Sequence, residues 1–107
     1  MQMFISIRRY SGVKPDAMDE IVHGVEAELL PQLSALPGFV AYYVLDESDG
    51  VLAAVGFFAQ QSAAENANRL TAGWVQERLA ASLAMSPQIT LGAVRVASPD
   101  FLTQGLF

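Results

Sequence analysis

The run FVAYYVL from Phe39 to Leu45, the short DESDG from Asp46 to Gly50, and the run VLAAVGFFA from Val51 to Ala59 together read as a β-hairpin. Both long runs are rich in β-branched and aromatic residues, and the Asp49-Gly50 close marks the turn between them. Neither run carries a charged residue on either parity. Successive side chains of a strand point to opposite faces, so a sheet built on this hairpin is apolar on both faces and needs covering twice.

Outward from the hairpin, Met3 to Tyr10 alternates Met3, Ile5 and Ile7 against Phe4, Ser6, Arg8 and Tyr10, the period of a first strand with two different faces. A Ser11-Gly12 turn leads to Lys14-Pro15-Asp16, where Pro15 suits the edge of a helix start and Asp16, Asp19 and Glu20 favour its positive end. Met18, Ile21, Val22, Val25, Leu29, Leu33 and Leu36 recur at helical spacing from about Asp16 onward. Pro31 falls inside that stripe without an N–H to return to residue 27, which predicts a kink or a restart. Pro37-Gly38 ends the element.

Beyond the hairpin, Ser62 and Glu65 have the spacing of a capping box. The second helix is expected to run through Ala67, Leu70, Trp74, Val75, Leu79 and Leu83, with Gly73 a weak point, until Ser86-Pro87 stops it. Gln88 to Ala97 reads as the last strand. The order β-α-β-β-α-β favours a ferredoxin-like α+β fold, a four-stranded antiparallel sheet in split βαβ form with both helices on one face. A second copy, sheet against sheet, is the simplest cover for the other face, which makes a homodimer the expected assembly.

The 107 residues suit one domain, 1–98, followed by a tail, 99–107, whose Phe101, Leu102, Leu106 and Phe107 are unusually apolar for a chain end and are expected to be ordered. Apolar residues make up 52% and charged residues 16%, far from the profile of disorder. The net charge of -5 and six scattered basic residues argue against nucleic-acid binding. Cysteine is absent, which removes disulfides, thiolate ligands and thiol nucleophiles. No apolar run approaches the roughly 18 residues of a membrane span, and no secretory leader is recognisable, so a cytoplasmic protein without a membrane partner is expected.

Several of these stretches carry a family likeness: Leu29-Leu30-Pro31, Pro37-Gly38-Phe39-Val40 into Tyr42-Tyr43, Gly56-Phe57-Phe58 ahead of Ser62, Trp74-Val75-Gln76-Glu77, and Thr90-Leu91-Gly92. Through them the chain, from about Met3 to Ala97, resembles the antibiotic biosynthesis monooxygenase branch of the dimeric α/β-barrel superfamily. The resemblance implies a homodimer whose sheets close into a barrel, with a cavity in each subunit between sheet and helices. It also implies one of three activities: oxidation of quinone-forming aromatic compounds without metal or flavin, haem degradation, or isomerisation of small rings. The haem-degrading members place an asparagine in strand one, a tryptophan early in helix two and a histidine later. Here strand one lacks asparagine, the early slot falls at Ala67 and no histidine follows, which argues against haem.

The candidate ligand-binding residues are Ser6, Arg8, Tyr43, Phe58, Asn66 and Trp74. Trp74, the only tryptophan, either stacks on a planar ligand or fills core volume beside Gly73. Asn66 and Asn68 either hydrogen-bond a ligand carbonyl or face solvent. Ser6 and Arg8 interrupt an apolar parity, with Tyr10 following on the same side, so they bridge a dimer or line a wet cavity. Arg8 suits either an anionic ligand or a carboxylate partner. Tyr42 and Tyr43 must face opposite sides of the sheet. His23, the only histidine, shares a face with Asp19, Glu20 and Glu26 and reads as a solvated residue that forms no metal site. No serine-nucleophile motif, phosphate-binding glycine loop or catalytic carboxylate pair is present, and no cofactor is called for. Two functions remain: a cofactor-independent monooxygenase-like enzyme acting on a small planar aromatic or quinone-type compound, and a non-catalytic dimeric binding or regulatory module.

Overall fold

The computed structural model describes residues 2–80 and 86–98. Strand β1 (Phe4–Tyr10) leads into helix α1 (Pro15–Gly24), a π-helical turn (Val25–Leu29) and helix α2 (Leu30–Ser34). Strands β2 (Phe39–Asp46) and β3 (Leu52–Phe58), helix α3 (Gln61–Arg78) and strand β4 (Gln88–Ala93) follow. The sheet is antiparallel with order β2-β3-β1-β4, the ferredoxin-like arrangement expected from the sequence. Among the described residues, no helix is long and apolar enough to cross a membrane.

Pro15 opens α1 at its first turn, with Lys14 extended as the N-cap. Met18, Ile21, Val25, Leu29 and Leu33 are buried, one position per turn against the sheet, whereas Val22 is exposed: it lies about 100° around the helix from Ile21. The interruption expected at Pro31 arrives one turn early. The backbone widens into the π turn, where Leu30 N–H returns to Val25 O, and α2 restarts with Pro31 in its first turn. A proline ring crowds the carbonyl four residues back, here Ala27, and the widened turn lies where that crowding falls.

The register of β2 shifts between Phe39 and Ala41. This bulge puts Phe39 and Tyr42, three residues apart, on the same helix-facing side. Phe39 meets Phe58 edge to face, with centroids 6.2 Å apart. Gly50 closes the hairpin at φ 76°, and its carbonyl accepts from Val13 N–H at 2.9 Å.

Three local expectations require correction. Ser62 and Glu65 form no capping box, because α3 begins at Gln61 with Gln60 as N-cap; Ser62 is already inside the helix, and Gln61 Nε2 donates to Glu65 Oε2 at 3.2 Å instead. The helix passes through Gly73 unbroken and ends at Arg78, short of Leu79. Strand β4 ends at Ala93 rather than Ala97, although Val94 N–H still donates to Met3 O at 2.7 Å. Of the two places the sequence allowed Ser6 and Arg8, the structure takes the interior: Phe4, Ser6, Arg8 and Tyr10 face the helices, while Ile5 and Ile7 face away. Leu83 and the tail from 99 to 107 lie outside the described residues.

Candidate functional site

The helix-facing side of β1 carries Ser6 and Arg8 into the space between sheet and helices, where each is only 5% exposed. Across the sheet, β3 presents Leu52, Ala54, Gly56 and Phe58 to the same space, and β2 presents Tyr42 and Val44. Small residues at Ala54 and Gly56 leave room for the larger neighbours. A Cβ at Gly56 would come within 2.7 Å of Phe58 Cε2 and 3.3 Å of Tyr42 Cδ1. Helix α3 closes the space with Ala67, Thr71 and Trp74, spaced three or four apart on one face, and with Asn68 at the edge of that face.

Two small chambers result, and Arg8, Tyr42, Ala54 and Thr71 line both. The larger, walled by Trp74, Ile21, Val25 and Leu29, leaves about 20 Å³ for the centres of water-sized molecules, room for about one water. The smaller, walled by Ser6, Phe58 and Asn68, leaves about 10 Å³. A ring-bearing ligand therefore enters only if lining side chains move. A wider groove between the start of α1 and the hairpin is open to solvent, and its polar residues Lys14, Asp19, Asp46, Ser48 and Asp49 are all exposed.

Arg8 is the only buried charged side chain among the described residues. Its Nε and Nη2 donate to Tyr10 Oη at 3.2 and 3.1 Å, and its Cζ lies 5.9 Å from the Tyr10 ring centroid. Those bonds engage two of the five guanidinium N–H groups, and no carboxylate pairs with it: the ion pairs of the described residues are Arg9–Glu47 and Arg78–Glu28. Of the two partners the sequence allowed Arg8, the carboxylate is not found among the described residues. Tyr42 Oη and Thr71 Oγ1 have no hydrogen-bond partner among the described residues. Burial first, then the neighbouring Tyr10, push the Tyr42 phenol up to about 12, against a smaller lowering by Arg8. At neutral pH it is an O–H donor. Ser6 Oγ donates to Asn68 Oδ1 at 2.7 Å, tying β1 to α3.

Of the six candidate residues, Ser6, Arg8, Phe58 and Trp74 line the interior chambers. Tyr43 does not: it is 52% exposed on the opposite face, edge to face with Phe57 at 5.9 Å, because Tyr42 takes the inward parity after the bulge. Asn66 is also outside, exposed and bonded to Arg69, because Ala63 and Ala67 take the inward positions of α3 and its near neighbour Asn68 reaches the chamber. His23 is exposed. Sequence reasoning passed over Thr71, Glu28 and Gly24. Trp74 Nε1 donates to Glu28 Oε1 at 3.1 Å, and a Cβ on Gly24 would meet the indole at 3.3 Å. A glycine inside a helical pattern was the signal available for this contact.

No family model matches the sequence, and no curated protein matches it. Among solved structures the chain is similar to a monooxygenase from the ActVA-Orf6 gene of Streptomyces coelicolor, in complex with the ligand nanaomycin D, at 16% identity and a TM-score of 0.72 over 88% of each chain. It is also similar to a candidate antibiotic biosynthesis monooxygenase from Nitrosomonas europaea, at 15% identity and a TM-score of 0.72 over 87% of this chain and 90% of that one. A dimeric ferredoxin-like protein from an uncultured marine organism shares 10% identity and a TM-score of 0.69 over 91% of each. At these identities the likeness establishes the fold, the one expected from the resemblance to antibiotic biosynthesis monooxygenases.

Proposed function

We propose that the chain forms a homodimer through the open face of its sheet, and that each subunit uses its interior chambers to bind a small planar aromatic compound and oxidise it with molecular oxygen, without a cofactor. The observation that carries this reading is the convergence of Arg8, Tyr42 and Thr71, three underused donors, on apolar walls that include Trp74. Direct reaction of an electron-rich phenol with oxygen requires the ring to carry negative charge as a phenolate or carbanion. Donors aimed into a water-poor pocket stabilise that charge. A structural neighbour that is a monooxygenase in complex with a ligand supports reading this fold as a binder of small molecules.

The dimer follows from what the helices leave bare. Ile5, Ile7, Ala41, Tyr43, Leu45, Val55 and Phe57 lie on the far face of three adjacent strands, with Tyr43 and Leu45 about half exposed. A patch of this kind is rarely left in water, and the dimeric ferredoxin-like neighbour supports covering it with a second copy.

One observation favours the non-catalytic binding module instead. Among the described residues, no side chain at the chambers is poised to take a proton, since Tyr42 is shifted towards the neutral form and His23 is remote on the exposed side of α1. Oxygen consumption with a panel of quinone-precursor phenols separates the two: sustained uptake above the uncatalysed rate supports the enzyme, and binding without uptake supports the module.

A further inference from the structure

Arg8 poses an energetic problem that the fold alone leaves open. A guanidinium taken out of water costs several kcal/mol unless an anion compensates it. Tyr10 supplies only a neutral oxygen and the face of its ring. The dimer cannot supply a carboxylate from a sheet-to-sheet partner, because Arg8 projects to the helix side, opposite to Tyr43 and Ile7. Tyr42 Oη and Thr71 Oγ1 line the same two chambers and are also without acceptors among the described residues. Charge-assisted hydrogen bonds are the strong ones, and a planar fork of N–H groups matches two oxygens of one group.

We infer that the interior site is an anion receptor: it takes a planar aromatic ligand in its deprotonated form, with a carboxylate or phenolate oxygen on Arg8, Tyr42 and Thr71 and the ring on the apolar wall at Trp74. This rests on reading the chambers as the ligand site and adds the charge state of the ligand. Each chamber already has space for about one water, so the anionic oxygen takes a water's place and the ring displaces side chains at the Trp74 wall. A neutral isostere must displace the same side chains while leaving the guanidinium unpaired.

The test compares benzoate with benzamide by titration calorimetry at pH 7 in low-chloride buffer. It also follows 4-nitrophenol by the absorbance of its phenolate with and without protein. We expect benzoate to bind about tenfold or more tightly than benzamide, and the bound nitrophenol to ionise at lower pH than the free one, since a nearby cation favours the anion. The calorimetric arm reports a carboxylate and the absorbance arm a phenolate. Either preference supports the inference if Arg8→Gln abolishes it and Arg8→Lys retains part of it. Circular dichroism confirms that both variants fold, and the benzoate-to-benzamide ratio of the unaltered protein stands without them. Equal affinities together with an unshifted nitrophenol, or a preference that survives Arg8→Gln, overturn it. Oxygen uptake without anion preference would defeat this inference and leave the oxygenase standing; anion preference without uptake would do the reverse.

Discussion

Trp74 Nε1 and Arg78 Nε converge on one oxygen of Glu28, at 3.1 and 3.2 Å, so that a single carboxylate ties α3 to the π turn. The Arg78 contact is exposed and contributes little. The indole bond matters more, because Trp74 is buried and its N–H has no other protein acceptor among the described residues. Glu28→Ala is expected to cost about 1 kcal/mol, with water replacing part of the lost bond, and to lower the melting temperature by a few degrees. Emission from Trp74, the only tryptophan, should shift to the red in the same variant. A melting point and emission both unchanged would show that the contact holds nothing.

Glycines 56 and 73 should respond to alanine in opposite directions. Nothing lies within 4 Å of a Cβ built on Gly73, which is exposed in the middle of α3, so Gly73→Ala should stabilise the fold by about 0.5–1 kcal/mol through helix propensity. At Gly56 the new methyl would enter the rings of Phe58 and Tyr42, and Gly56→Ala should destabilise by about 1–3 kcal/mol. Denaturant midpoints of the two variants measure this pair directly.

Tyr42 gives the protein an alkaline limit. Its phenol is pushed up to about 12 in the fold against about 10 unfolded, so the unfolded chain loses this proton first as pH rises. The stabilisation is therefore complete below about pH 10 and falls away through about pH 12. Denaturation monitored between those values should show a loss of stability that is smaller in Tyr42→Phe. A spectrophotometric titration should likewise lose its latest-ionising phenolate in that variant.

How far the site was legible follows from the same residues. Strict alternation placed Ser6 and Arg8 together, and helical spacing brought Trp74 inward, because periodicity alone fixes which face a side chain takes. The choice between Tyr42 and Tyr43 depended on the bulge after Phe39, a one-residue slip that reverses parity and leaves no mark in composition. Asn66 and Asn68 lie two positions apart on a helix, too alike in type for the sequence to say which one meets Ser6. The early start of α3 moved Ser62 from cap to interior, since Gln60 lacks the short side chain that usually marks an N-cap.

The open sheet face should behave as an interface. Val55 and Leu45 lie on its central and outer strands, and Val55→Asp would place a charge on the apolar surface that the proposed second copy would cover. Sedimentation should show dimer for the parent and monomer or aggregate for the variant. A parent chain that sediments as a stable folded monomer at micromolar concentration would rule out the assembly.

Catalysis, if the oxygenase reading holds, should depend on donors and not on the imidazole. The developing phenolate or carbanion is stabilised only where hydrogen-bond donors point, and removing one from such a site costs about 2.7 to 4 kcal/mol of barrier. Tyr42→Phe and Thr71→Val each delete a hydroxyl with little change of shape, so each should lower kcat about 100-fold or more while the fold persists. Trp74→Phe keeps an aromatic wall and loses only area and the Glu28 bond, so it should act mainly through KM. His23 is exposed on the far side of α1, and His23→Ala should leave uptake unchanged. The chain has no cysteine and only that one histidine, which leaves it without the usual nitrogen and sulfur ligands of a catalytic metal, so a chelator should also leave the rate intact. Oxygen-electrode traces on this set, with a quinone-precursor phenol as substrate, order the variants. If His23→Ala or the chelator abolishes uptake while Tyr42→Phe and Thr71→Val do not, the mechanism is wrong and the interior chambers are not where the chemistry occurs.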